Sequence, residues 1–109
     1  MGQFVGGDVV VLNFPFSDLS QTKRRPALVL AAVKCDEVIL CQITSQSKSD
    51  TYSIPLEGAD FTSGGLNQSS KIRPNRLFTA DEGIVRYRAG HVSDAKVNEV
   101  VDRLIAILK

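Results

Sequence analysis

The stretch ALVLAAVKCDEVILCQI, Ala27 to Ile43, decides how the rest of the chain is read. Two runs of mostly apolar residues, Ala27 to Val33 and Val38 to Ile43, flank the short polar connection from Lys34 to Glu37. Both runs are short and rich in Val, Ile and Leu, so they read as strands. The brief connection makes them an antiparallel hairpin. Because the runs are nearly continuous rather than alternating, each strand expects cover on both faces. A chain this short cannot sandwich its whole sheet between other layers. A closed small barrel with a helix over part of it would supply the cover, as would a homodimer contact over the outside; the dimer is the preferred reading.

Upstream, DVVVLNF (Asp8 to Phe14) is a third strand of the same kind. Downstream, TYSIPL (51–56), SSKIRP leading to RLFT (69–79) and IVRYR (84–88) are shorter strand candidates. The polar segments 17–24, 45–50 and 57–70 read as loops, and SGGLNQSS (63–70) is expected to be the most mobile. The period then changes: Val97, Val100, Val101, Leu104, Ile105 and Leu108 recur every three or four residues and form one helical stripe. Ser93 is placed to cap that helix, Asp94 favours its first turn, and Glu99 and Arg103 are spaced as an i,i+4 pair. Strands followed by one helix predict a mostly β fold: a small barrel carrying a C-terminal amphipathic α-helix.

The 109 residues (11.9 kDa) fit a single domain over 1–109. A hydrophobic fraction of 43% with 23% charged residues is that of a soluble globular chain. No apolar run approaches the ~20 residues of a membrane span. MGQFVGGD lacks the pattern of a secretory leader, so the expected location is cytoplasmic, with no membrane partner. Thirteen Lys and Arg against twelve Asp and Glu give a net charge of +1, which by itself announces no nucleic acid. The cations nonetheless cluster, at Lys23, Arg24 and Arg25, at Lys71, Arg73 and Arg76, and at Arg86 and Arg88. Cys35 and Cys41 lie in or beside apolar strands and read as packing residues. With only His91 added they do not make a usual zinc set, so no metal and no cofactor are expected. His91 itself, just before the helix cap, reads as a surface or structural residue.

Two arginines stand directly before prolines, Arg25 before Pro26 and Arg73 before Pro74. The proline ring holds the preceding residue in extended geometry. Pro26, lacking an N–H, suits the first position of a strand, which places Arg25 at a barrel edge. Its guanidinium offers a planar fork of donors suited to a phosphate and to charge growing on phosphate oxygens. Thr44 and Ser45 end the third strand, and hairpin pairing brings Thr44 within a rung or two of Arg25. One phosphate can then touch both.

Taken in order, GDVVVLNFPFSD, KRRPALVL, CQITSQ, GGLNQSSKIRPNRLFTAD and VVDRLIAIL resemble the MazF/PemK family, the toxin component of type II toxin–antitoxin pairs, over nearly the whole chain. The resemblance implies an SH3-like barrel of CcdB/MazF/Kid type, a homodimer, a cognate antitoxin as partner, and sequence-specific, metal-independent cleavage of single-stranded RNA, here mRNA. Arg25 and Thr44 match the positions implicated in cleavage in the MazF branch. In the Kid branch, the resemblance implies an arginine, an aspartate and a first-loop histidine. Here Arg73 matches the arginine, Asn75 replaces the aspartate, and 17–24 contains no histidine. Arg73 and Asn75 are therefore read as RNA contacts, together with Lys23, Arg24, Ser45 and Gln46. Phe16 is the aromatic placed to stack a base. The implied chemistry is attack of a ribose 2′-OH on its own phosphate, giving 2′,3′-cyclic phosphate and 5′-OH ends, with the general base unassigned. The alternative is a non-catalytic, CcdB-like toxin, or an inactive relative, acting by protein binding.

Overall fold

A computed structural model describes residues 4–15, 22–33, 36–45, 52–66 and 69–109. Seven strands and one helix follow in chain order: β1 (Asp8–Pro15), β2 (Thr22–Val33), β3 (Glu37–Thr44), β4 (Ile54–Leu56), β5 (Phe61–Gly64), β6 (Ser70–Asp81), β7 (Val85–Val92) and α1 (Asp94–Leu108). They form one antiparallel sheet in the order β4-β6-β3-β2-β1-β7-β5. Its edge strands, β4 and β5, are only residues 57–60 apart in the chain. Laid flat, six strand spacings would separate the edges by about 29 Å. The link from Leu56 to Phe61 reaches about 18 Å at most. The sheet therefore curls into a barrel-like wall, and the molecule measures 32 × 32 × 30 Å.

Curling explains the continuous apolar runs. Neighbouring residues alternate between two cores: Val9, Leu28, Cys41 and Ile43 belong to one, Val10, Val29, Leu40 and Leu12 to the other. The first core is completed by Ile54, Ile72, Val92 and Val100 of α1, and the second by Ala27 and Val38 with Phe78 and Val85 against them. Both faces of the hairpin are thus covered within one chain over Ala27–Val29 and Leu40–Ile43, whereas Ala32 and Val33 near its turn are exposed.

The helix seals the gap between the edges. Ser93 caps it, its Oγ accepting from the Lys96 N–H at 3.3 Å. Lys96 Nζ donates to the Pro55 carbonyl at 3.1 Å and lies 3.5 Å from Asp60 and 3.0 Å from Glu99. One cation thereby ties α1 to β4 and to the link before β5. The apolar stripe is buried most deeply at Val100, whereas Ile105 and Leu108 are exposed.

The strands depart from their sequence reading in four places. β2 starts at Thr22, because pairing with β1 continues through Asn13↔Arg24 and Phe14↔Lys23, so Lys23 and Arg24 lie in a strand rather than a loop. Pro26 is not the first strand residue: it pairs with Val11 of β1, while the β3 ladder begins one residue later at Ala27↔Gln42. At Pro26 the missing N–H coincides with a local edge. The candidates 69–74 and 76–79 are one strand, β6, whose ladder jumps from Cys41↔Leu77 to Gln42↔Arg73 and leaves Pro74, Asn75 and Arg76 in a bulge. Residues 61–64, expected in a loop, form the edge strand β5 on β7. β5 lies so close to Gly90 that a Cβ there would stand 2.6 Å from the Ser63 carbonyl oxygen. Pairing of this kind is set by backbone proximity, which the weak apolar pattern of 61–64 does not reveal.

Candidate active site

Register assembles the site. The β2–β3 ladder ends at Ala27↔Gln42; Arg25 precedes Ala27 by two residues and Thr44 follows Gln42 by two, so both lie just beyond the same end of that ladder. The β3–β6 ladder carries the pairing onward, as Gln42↔Arg73, Ile43↔Ile72 and Thr44↔Lys71. Ile43 and Ile72 are fully buried in the helix-side core. Alternation therefore turns Thr44 and Gln42 of β3, and Lys71 and Arg73 of β6, to the opposite face. Arg25 shares that face, being paired with Leu12 of the second core. The ladders give one full row, Ala27, Gln42 and Arg73, and beside it the pair Thr44 and Lys71, with Arg25 at the same end of β2 and on the same face.

Thr44 is 6% exposed, and Arg25 and Arg73 are half-buried. The Nε of Arg25 is buried with no hydrogen-bond acceptor among the described residues, although the side chain is engaged elsewhere. Ser45 follows Thr44 and is exposed. Asn75 is exposed in the β6 bulge. Arg24 is exposed too, but alternation sends it to the face opposite Arg25. Lys23 is placed by its backbone in β2 opposite Phe14. Phe16, Gln46 and Cys35 lie outside the described residues, as does most of the 17–24 segment. Phe61, another aromatic, packs against the helix-side core.

Sequence reasoning missed Gln42, and noted Lys71 only as a member of a cation cluster without a role. A signal was present: QIT (42–44) and KIR (71–73) both run polar, apolar, polar, as paired strands with one buried face should.

It also missed a buried charge. Asp8 is fully buried, accepts from the Val5 N–H at 3.0 Å, and lies 2.8 Å from Nδ1 of His91. Arg88 approaches the same oxygen at 3.6 Å. Gly7, at φ 101°, lies under the His91 ring: a Cβ would meet Cε1 at 2.8 Å. His91 is thus a structural residue that holds the turn before β1 against β7. Cys41, in the helix-side core, has its thiol pushed up to about 12 by burial. Among the described residues no three of His, Cys, Asp and Glu come together as a metal-binding group, and no helix is long and apolar enough to cross a membrane.

The arrangement is a cationic, hydroxyl-bearing face at one end of a curled sheet. Such a face can hold a phosphate and stabilise charge developing on it. The fold is similar to MazF of Deinococcus radiodurans, at 24% identity and TM-score 0.75 over 96% of each chain. It is also similar to MazF in the MazE–MazF complex from that organism, at 22% identity and TM-score 0.76 over 96% of this chain and 95% of the other. An endoribonuclease from mycobacterial species, solved with its cognate antitoxin, superposes with TM-score 0.71 at 13% identity, over 96% of this chain and 94% of its own. At these identities the likeness is one of fold. A search among curated proteins finds no match. The sequence profile of PemK-like, MazF-like toxins matches residues 6–108, nearly the whole length, and the chain therefore belongs to that family, the toxins of type II toxin–antitoxin systems.

Proposed function

We propose that this toxin is a sequence-specific endoribonuclease that cuts single-stranded mRNA by attack of a ribose 2′-OH on the adjacent phosphorus. What supports the reading most is that the chain is of the MazF-like family and has Arg25 and Thr44 at the same end of the β2–β3 hairpin. The 2′-oxygen forms a bond to phosphorus while the bond from phosphorus to the 5′-oxygen breaks. The 2′ proton leaves to a base, and the departing 5′-oxygen takes up a proton. The products are a 2′,3′-cyclic phosphate and a 5′-OH. The nucleophile is part of the substrate, so no activated water and no metal are required. Arg25 supplies charge-assisted hydrogen bonds to the non-bridging oxygens as negative charge accumulates on them. Thr44 holds a phosphate oxygen or the 2′-OH in line for attack. Ser45, Arg73 and Asn75, with Lys23, Gln46 and Phe16, contact the flanking nucleotides, whereas Arg24, on the opposite face, does not.

The toxin acts in the cytoplasm as a homodimer and is held inactive by a cognate antitoxin laid across the RNA-binding face or the dimer seam. Support for the antitoxin comes from the family and from similar folds solved with theirs. Purified protein incubated with single-stranded RNA in EDTA tests the reading. Fragments ending in cyclic phosphate, lost in Arg25→Ala and reduced in Thr44→Ala, are expected. Intact RNA alongside gyrase-dependent toxicity would overturn it in favour of a binding toxin. A monomer by sedimentation at micromolar concentration would overturn the dimer.

A further inference from the structure

The β3–β6 ladder passes from Cys41↔Leu77 straight to Gln42↔Arg73, so Pro74, Asn75 and Arg76 have no ladder partner on β3. We infer that this bulge, with Tyr52 beside it, reads one guanine of the RNA and so sets where the strand is cut. The inference rests on the ribonuclease reading above and gives it a specificity-determining element.

Three observations support it. First, the bulge is anchored and its tip is offered outward: Pro74 is buried, while Asn75 and Arg76 are exposed. The proline ring fixes its own φ, which stiffens the bulge. Bulges of this kind re-aim side chains beside active sites. Second, an aromatic stands at the same place. The β4–β6 ladder begins at Ile54↔Ile72, and because the strands are antiparallel, the residues before Ile54 and after Ile72 leave it at the same end. Tyr52 comes two residues before Ile54 and Pro74 two residues after Ile72, each within about 7 Å of that pair. Tyr52 is 41% exposed. Tyr87, the other large exposed aromatic among the described residues, is on β7, with β3, β2 and β1 between it and the bulge. Third, the chemistry suits a base. Tyr52 and Asn75 are each engaged with another residue of the chain, whereas no hydrogen bond or ion pair holds Arg76 to another of the described residues. An aromatic face stacks an unpaired base, and the planar guanidinium fork matches the O6 and N7 acceptors of guanine. The bulge adjoins Arg73, whose partner Gln42 is two residues, about 7 Å, from Thr44, so the base that is read lies close to the cleaved bond.

The test cuts a single-stranded RNA of random sequence with the whole protein and reads, by sequencing, the bases on both sides of every new end. Wild type is expected to favour guanine at one fixed position by about 10-fold or more, the discrimination of one bidentate contact. Arg76→Met is expected to lose most of that preference while still cutting, and Arg76→Lys, a point charge without the fork, to recover little of it. Replacing that guanine by 7-deazaguanine, which lacks the N7 acceptor, raises KM for wild type and makes no difference to Arg76→Met. Tyr52→Leu, which removes the stacking face, raises KM by about 10-fold and lowers kcat less, and Tyr52→Phe recovers most of the loss. An unchanged guanine preference in Arg76→Met, or an active wild type that favours no guanine, would overturn the role of the bulge and leave the ribonuclease reading standing. A wild-type protein that cuts none of the RNA would overturn both.

Discussion

Charge is handled in opposite ways at two places in this sheet. Around Asp8, opposite signs meet: a fully buried carboxylate is held by a backbone N–H, by His91 and by Arg88. Around Thr44, like signs gather: Arg25, Lys71 and Arg73 occupy neighbouring positions on one face. A buried, satisfied ion group serves the fold, because removing one member leaves the others desolvated and unmatched. Cations gathered on one face raise the local positive potential, which attracts an anionic ligand.

The contrast breaks if the Thr44 patch turns out to be structural. Arg25→Ala is expected to lower RNA cleavage by about 10²–10³-fold, the usual loss when a donor to developing charge is removed. Its urea midpoint is expected to stay close to wild type. Arg25→Lys keeps the charge but not the planar fork and should recover only a small part of the rate. A large fall in the urea midpoint of Arg25→Ala would instead put this arginine in the same class as Asp8.

Asp8→Ala is the reciprocal experiment. It strands the Val5 N–H and leaves His91 without its carboxylate, at a cost of about 3 kcal/mol in unfolding free energy. Cleavage at a temperature where the variant is still folded is expected to match wild type, because Asp8 and Leu12, the β1 partner of Arg25, are four residues apart, about 13 Å along β1. Loss of cleavage in a folded variant would join the two regions that the comparison separates.

How far these regions could be read from the sequence follows the same division. The hairpin, the helix with its Ser93 cap and the extended arginine before Pro26 were legible, because local pattern and proline sterics determine them. The hairpin also brings Arg25 and Thr44 to one end of the β2–β3 pair. The Asp8–His91 pair was not legible: its partners are 83 residues apart and meet only when the curled sheet sets β7 beside β1. β5 was hidden for a related reason, since a four-residue edge strand gains its pairing from β7 and not from its own pattern. Continuous apolar strands signalled cover on both faces, which holds for most of the hairpin but not for Ala32 and Val33, which are exposed. They could not say that the cover would come from the chain's own curvature, which depends on how far apart the sheet edges lie.

Thr44→Val sharpens the comparison within the site itself. Valine has nearly the shape of threonine, and Thr44 is 6% exposed, so packing is preserved while the hydroxyl is removed. A loss of one hydrogen bond to a charged phosphate predicts about a 10-fold fall in cleavage rate, smaller than that of Arg25→Ala. A fall equal to that of Arg25→Ala would mean that Thr44 positions the reacting group as well as binding it.

The smallest effect at neutral pH belongs to Cys41, one residue from Gln42 but turned into the helix-side core. Burial pushes its thiol from the ordinary 9.0 up to about 12. Between those values the unfolded thiol has released its proton and the folded one has kept it, so the folded chain binds more protons and stability falls as pH rises. Below pH 9 the contribution is complete and constant. Cys41→Ala is therefore expected to lose some stability at pH 7 through the missing sulfur, yet to show a flatter decline than wild type between pH 9 and 12 in urea unfolding. The thiol is expected to resist alkylation in the folded protein, because the thiolate is the reactive form and burial withholds it. Equal pH slopes for the two proteins would show that Cys41 ionises as readily inside the core as outside it. Since Cys41 is fully buried at the centre of the sheet, that result would mean that the wall beside the active face opens to water.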